Sequence, residues 1–101
     1  MELKELEKRM HAFVESKGWY KPASKKEQSP KNLAISLVLE ASEVLEHFQW
    51  VDEVRNKQEL AGELADVGLY LLQLASITGI DLEQAILDKL SVNKDREWPE
   101  P

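Results

Sequence analysis

The chain has 101 residues, 43% of them hydrophobic and 32% charged, with a net charge of −6, a pI near 4.9 and no cysteine. That length suits a single domain spanning residues 1–101. It excludes disulfides, zinc–thiolate sites and a thiol nucleophile, and the acidic balance argues against a coat for nucleic acid polymers. Met1–Glu5 lacks the apolar core of a signal peptide. No apolar run is expected to reach the roughly 20 residues that span a bilayer. The expectation is a cytoplasmic protein with no membrane partner.

Leu3, Leu6, Met10, Phe13 and Val14 recur at three and four and predict a first helix over 2–17, closed by Gly18. His11 borders that apolar face and reads as a core-edge residue. Residues 18–31 are expected to be the only long non-helical stretch, punctuated by Pro22, Ser24, Ser29 and Pro30. Lys21, Lys25, Lys26 and Lys31 gather there, with Trp19 and Tyr20 at the start. Two readings stand side by side. One is a solvated connection anchored by an aromatic; the other is a lid whose lysines meet phosphates and whose aromatic stacks on a base.

Ser29–Pro30 is a start signal, a capping side chain followed by Pro at the first helical position, and predicts a second helix over 30–52. Leu33, Leu37, Ala41, Val44 and Phe48 form its main apolar arc. Ser36, Glu40, Glu43 and His47 form a polar stripe, with Ile35, Leu39 and Trp50 beyond it. A short polar connection at 53–57 leads to a third helix over 57–78, ending near Gly79. On that helix Glu59, Glu63, Asp66, Tyr70 and Gln73 share one narrow stripe, and the rest of the circumference is Leu, Ala, Val or Gly. Such a helix is normally covered by neighbours, and Gly62 and Gly68 are expected to admit a second helix closely. Asp81 with Gln84 resembles a capping box for a fourth helix, and the tail from Asn93 is expected to leave it. No segment alternates as a strand does. The reading is all-α, a four-helix bundle too apolar to cover itself and so completed by homo-oligomerisation as a dimer or tetramer.

Two acidic pairs at i, i+3 carry the chemistry: Glu40/Glu43 and Glu63/Asp66. Antiparallel packing would set them face to face. Four crowded carboxylates repel, and a hard, oxygen-preferring cation relieves them, Mg²⁺ first and Mn²⁺ second. Either pair alone is common on solvated helices. A non-catalytic oligomeric module with merely solvated acids is the competing reading.

Glu40-Ala-Ser-Glu43, nineteen residues, then Glu63-Leu-Ala-Asp66 resembles the signature of the all-α MazG-like nucleoside triphosphate pyrophosphohydrolases. Ser29–Ala34, Leu39–Glu43, Phe48-Gln49-Trp50, Asp66–Tyr70 and the closing Lys89–Pro99 stretch are similar to the dCTP pyrophosphatase branch. The resemblance implies hydrolysis of a (d)NTP to the monophosphate and pyrophosphate, as house-cleaning of dCTP-like or non-canonical nucleotides. It implies Glu40, Glu43, Glu63 and Asp66 as Mg²⁺ ligands, with Glu43, or Glu40, acting on the attacking water. It further implies Trp19, Asn32, Trp50, Tyr70, Lys89 and Asn93 as substrate contacts. The Trp19–Pro30 link is longer and richer in lysine than in that branch, which bears on base preference. Phosphoribosyl-ATP hydrolysis is the alternative within the same superfamily.

Overall fold

The computed structural model describes residues 1–97 and 99. Four helices follow in order: α1 Leu3–Ser16, α2 Pro30–Glu46, α3 Lys57–Ile77 and α4 Leu82–Asp95. Among the described residues there is no strand. Local chemistry explains the boundaries. Ser29 accepts from the Asn32 amide at 3.2 Å with Pro30 at the first helical position. Asn56 caps α3 by accepting from Glu59 N at 3.0 Å, and Asp81 caps α4 by accepting from Gln84 N at 3.1 Å. The expected capping box at α4 is half made, because the Gln84 side chain turns forward to Asp88 at 2.8 Å. Gly18 and Gly79 take φ of +72° and +73°, which L side chains rarely adopt, and they end α1 and α3.

Two boundaries differ from the sequence reading. α2 ends at Glu46, and His47, Phe48 and Gln49 donate to carbonyls three residues back. That tighter winding turns the chain away although the apolar spacing continues. A second long non-helical stretch, 47–56, results, with Trp50 in it. α4 in turn carries Asn93, Lys94 and Asp95 as helix. Trp98, in the closing stretch, lies outside the described residues.

α2 packs along α3, α1 crosses onto α3, and α4 touches α3 lightly. The core is small: Met10, Val14, Leu33, Leu72 and Ala75, with Gln73 as the buried polar residue. α3 is not covered all round. Leu64, Leu69 and Leu71 are exposed, as are Val38 (67%) and Leu45 (69%) on α2, and α4 has no buried residue. Nothing lies within 4 Å of where a Cβ would stand on Gly62 or Gly68, so no helix of this chain approaches them closely. Contrary to the expectation that no apolar run is long enough, α3, at 21 residues, is long and apolar enough by length and composition to cross a bilayer.

Candidate functional site

Asn32, Leu33 and Ser36 of α2 share a cavity wall with Asp66, Leu69, Tyr70 and Gln73 of α3. Further along α2, Glu40 and Glu43 meet Glu63. Rising numbers on one helix meet falling numbers on the other, so the pair is antiparallel and the two acidic stripes face each other. One carboxylate oxygen each from Glu40, Glu43 and Glu63 lies within 4.8 Å of the others. Asp66, one turn beyond Glu63, stands outside that triplet but near enough for its charge to act on Glu40.

Burial, followed by the charges of Glu43 and Asp66, pushes the Glu40 carboxyl above its ordinary value of 4.5. A hydrogen bond with Glu43 does the same for Glu63, helped by burial and by the charges of Glu43 and Glu40, while His47 opposes it. Glu40 Oε2 is buried with no hydrogen-bond partner among the described residues. A carboxylate oxygen in that position is costly unless a cation completes it. An all-oxygen cluster with one such orphan fits a hard divalent ion.

Beside the acids opens a cavity of about 690 Å³, a volume typical of small-molecule sites. Trp19, Asn32, Tyr70 and Asp66 all line it, so three of the six expected substrate contacts share one space with one of the four acids. Trp50 does not: it is 87% exposed. Lys89 and Asn93, both on α4, do not line the cavity either. Trp19 is held at 5.7 Å edge-on to Phe13, and the Lys26 ammonium stands over the Trp19 ring at 4.7 Å from its centroid. Asn32 Nδ2 donates to the Glu27 carbonyl at 3.1 Å, tying the loop to the start of α2.

The loop is pinned from behind by a chain of polar side chains. Gln73 Nε2 donates to Tyr20 Oη at 3.2 Å and to Gln28 Oε1 at 2.7 Å. Tyr20 meets His11 Nδ1, and His11 Nε2 meets Ser76 Oγ at 2.7 Å. Burial pushes the Tyr20 hydroxyl above its usual 10.0, so it stays protonated beside His11. His11 is thus more than a core-edge residue: it fastens α1 to α3 and to the loop.

The MazG-like family profile matches residues 35–101. The chain belongs to the MazG-like family. Among relatives of this MazG-like chain, dCTP pyrophosphatase 1 of Homo sapiens is 33% identical, the match covering 88% of this chain and 55% of that protein. The Mus musculus protein of the same name is 32% identical with the same shares. The chain therefore spans about half the length of the curated relatives it matches. A pyrophosphatase of Archaeoglobus fulgidus superposes with a TM-score of 0.81 at 35% identity, over 97% of this chain and 93% of that one. The MazG-like four-helix fold thus extends over nearly the whole chain. Sequence reasoning passed over Arg9, Gln28 and Ser36 as cavity residues. Ser36 was visible on the acid-bearing stripe of α2, whereas nothing in spacing marks Arg9 or Gln28.

Proposed function

We propose that this MazG-like chain is a nucleoside triphosphate pyrophosphohydrolase of one domain, converting (d)NTP to (d)NMP and pyrophosphate, with dCTP-like or non-canonical nucleotides removed as house-cleaning in the cytoplasm. The observation that carries it is the juxtaposition of the Glu40–Glu43–Glu63 cluster with an aromatic-walled cavity that Asp66 also lines. The names of the relatives point the same way.

Glu40, Glu43, Glu63 and Asp66 would hold Mg²⁺, or Mn²⁺ in its place. When bound, the ion supplies charge neutralisation for the phosphates and acidifies water. Water adds at the α-phosphorus, the bond from that phosphorus to the α–β bridging oxygen breaks, and pyrophosphate leaves with the electron pair. Glu43 takes the proton from that water, with Glu40 as the alternative base. Trp19 stacks on the base, Tyr70 and Asn32 line the nucleotide, and Lys25 and Lys26 offset phosphate charge. Trp50, Lys89 and Asn93 join the site from a second copy or on closure of α4, which the uncovered apolar faces of α2, α3 and α4 support. The assembly is a homo-oligomer, and neither nucleic acid polymer nor membrane is its partner.

Pyrophosphate release from a nucleotide panel with Mg²⁺ tests the reading: pyrophosphate must be the first product, and orthophosphate first would overturn it. Light scattering tests the assembly. Val38→Asp, harmless on a monomer surface, should lower the mass of the assembly.

A further inference from the structure

The orientation of the two amides behind the cavity, Gln28 and Gln73, follows from one backbone carbonyl. Gln28 Nε2 donates to Lys26 O at 2.7 Å, and a carbonyl oxygen can only accept. The amide nitrogen of Gln28 therefore faces Lys26, and its oxygen faces Gln73. Gln73 must answer with nitrogen, which it does at 2.7 Å. Its second amide hydrogen goes to Tyr20 Oη at 3.2 Å. Both donors of Gln73 are used.

One polar atom of that side chain is left, Oε1. It makes no hydrogen bond among the described residues, and it is not one of the sealed, unpartnered oxygens, so it is open to the cavity side. Gln73 is itself 3% exposed and lines the cavity. It lies seven residues, or about 10 Å of helix, from Asp66 at the acidic end. That is the separation between the phosphates of a nucleotide and the far edge of its base. We propose that Gln73 selects the base: its carbonyl oxygen, held as an acceptor by Gln28 and Tyr20, takes a hydrogen from an exocyclic amino group and rejects a keto oxygen at that edge. The ligand class is amino-bearing bases, cytosine or adenine, over their keto counterparts uracil or hypoxanthine. A keto oxygen there meets a fixed acceptor with no donor to offer, and an unpaired buried acceptor is what polar specificity is built on.

This rests on the nucleotide reading above, and the test separates the two. Pyrophosphate release is measured with Mg²⁺ on matched pairs, dCTP with dUTP and dATP with dITP. The amino member of at least one pair should be favoured about 10-fold or more in kcat/KM. Gln73→Met, close in volume and without the acceptor, should bring the ratio near one by weakening the amino substrate more than its keto partner, both sharing the loss of the loop contacts. Gln28→Met, on the loop and away from the packed core, frees the Gln73 amide to turn and should lower the ratio as well, mainly through KM. Turnover without amino preference, or an unchanged ratio in Gln28→Met, overturns the assignment and leaves the pyrophosphohydrolase intact. No turnover on any nucleotide overturns both.

Discussion

The Lys26 ammonium rests 4.7 Å from the centroid of the Trp19 ring. The cation competes with an incoming base for a face of the ring, and it has a second destination in the phosphates. Lys26→Ala should therefore have two opposed effects: an uncovered ring and a lost phosphate charge. We expect the second to prevail for triphosphates, raising KM by about 3- to 10-fold, and to fade with added salt. For an uncharged nucleoside, binding should improve. Titration of the variant with both ligands, followed by tryptophan fluorescence, checks the sign of each.

Removing one acid should separate catalysis from folding. Glu43→Gln and Asp66→Asn are expected to abolish turnover. Without metal, Glu43→Gln should melt higher than the parent, because it removes like charge from the Glu40–Glu43–Glu63 cluster. Full activity in either variant, or a lower metal-free melting temperature in Glu43→Gln, would contradict the assigned site.

The raised carboxyls of Glu40 and Glu63 give stability a direction with pH. Their native forms hold the proton more tightly than the unfolded chain does, near 4.5. The contribution is therefore fully present below that value and is lost as pH rises through the higher native values. Metal binding runs the other way, since the ion displaces those protons. Melting temperature against pH should fall through the weakly acidic range in a chelator, and the gain on adding Mg²⁺ should grow with pH. A gain independent of pH would place the ion elsewhere.

His11→Phe keeps a ring in place and deletes both bonds, leaving the Tyr20 and Ser76 hydroxyls without that partner. A cost of about 1–3 kcal/mol is expected, or roughly 4–8 °C in melting temperature for each kcal/mol in a domain of this size. Ser76→Ala should cost less. Calorimetry on the two variants checks the ranking, and protease nicking in the 18–29 loop should rise in the first.

Sequence made the helices legible where the signal is local. Ser29, Asp81, Gly18 and Gly79 mark ends because a cap or a positive φ involves only neighbours in the chain. The acidic pairs were visible because spacing alone puts them on one face. The end of α2 was not, since Phe48 and Trp50 continue the apolar rhythm while the backbone has already tightened. Spacing is equally silent on which polar residues meet across the fold. Gln73 bonds Tyr20 and Gln28, 53 and 45 residues away, and His11 bonds Ser76 across 65. The all-round apolar character of α3 predicted cover, and within this chain Leu64, Leu69 and Leu71 remain exposed.

α4 hangs from Gly79 by a short joint and has no fully buried residue, with Leu82 at its start packed on the core. Its backbone amides should thus open to exchange at far lower cost than those of α1 and α3, as a unit that frays independently of the rest. Lys89 and Asn93 ride on it. If they grip the nucleotide as proposed, then ordering this helix and capturing the ligand are one event, and slow deuterium uptake there becomes a readout of occupancy.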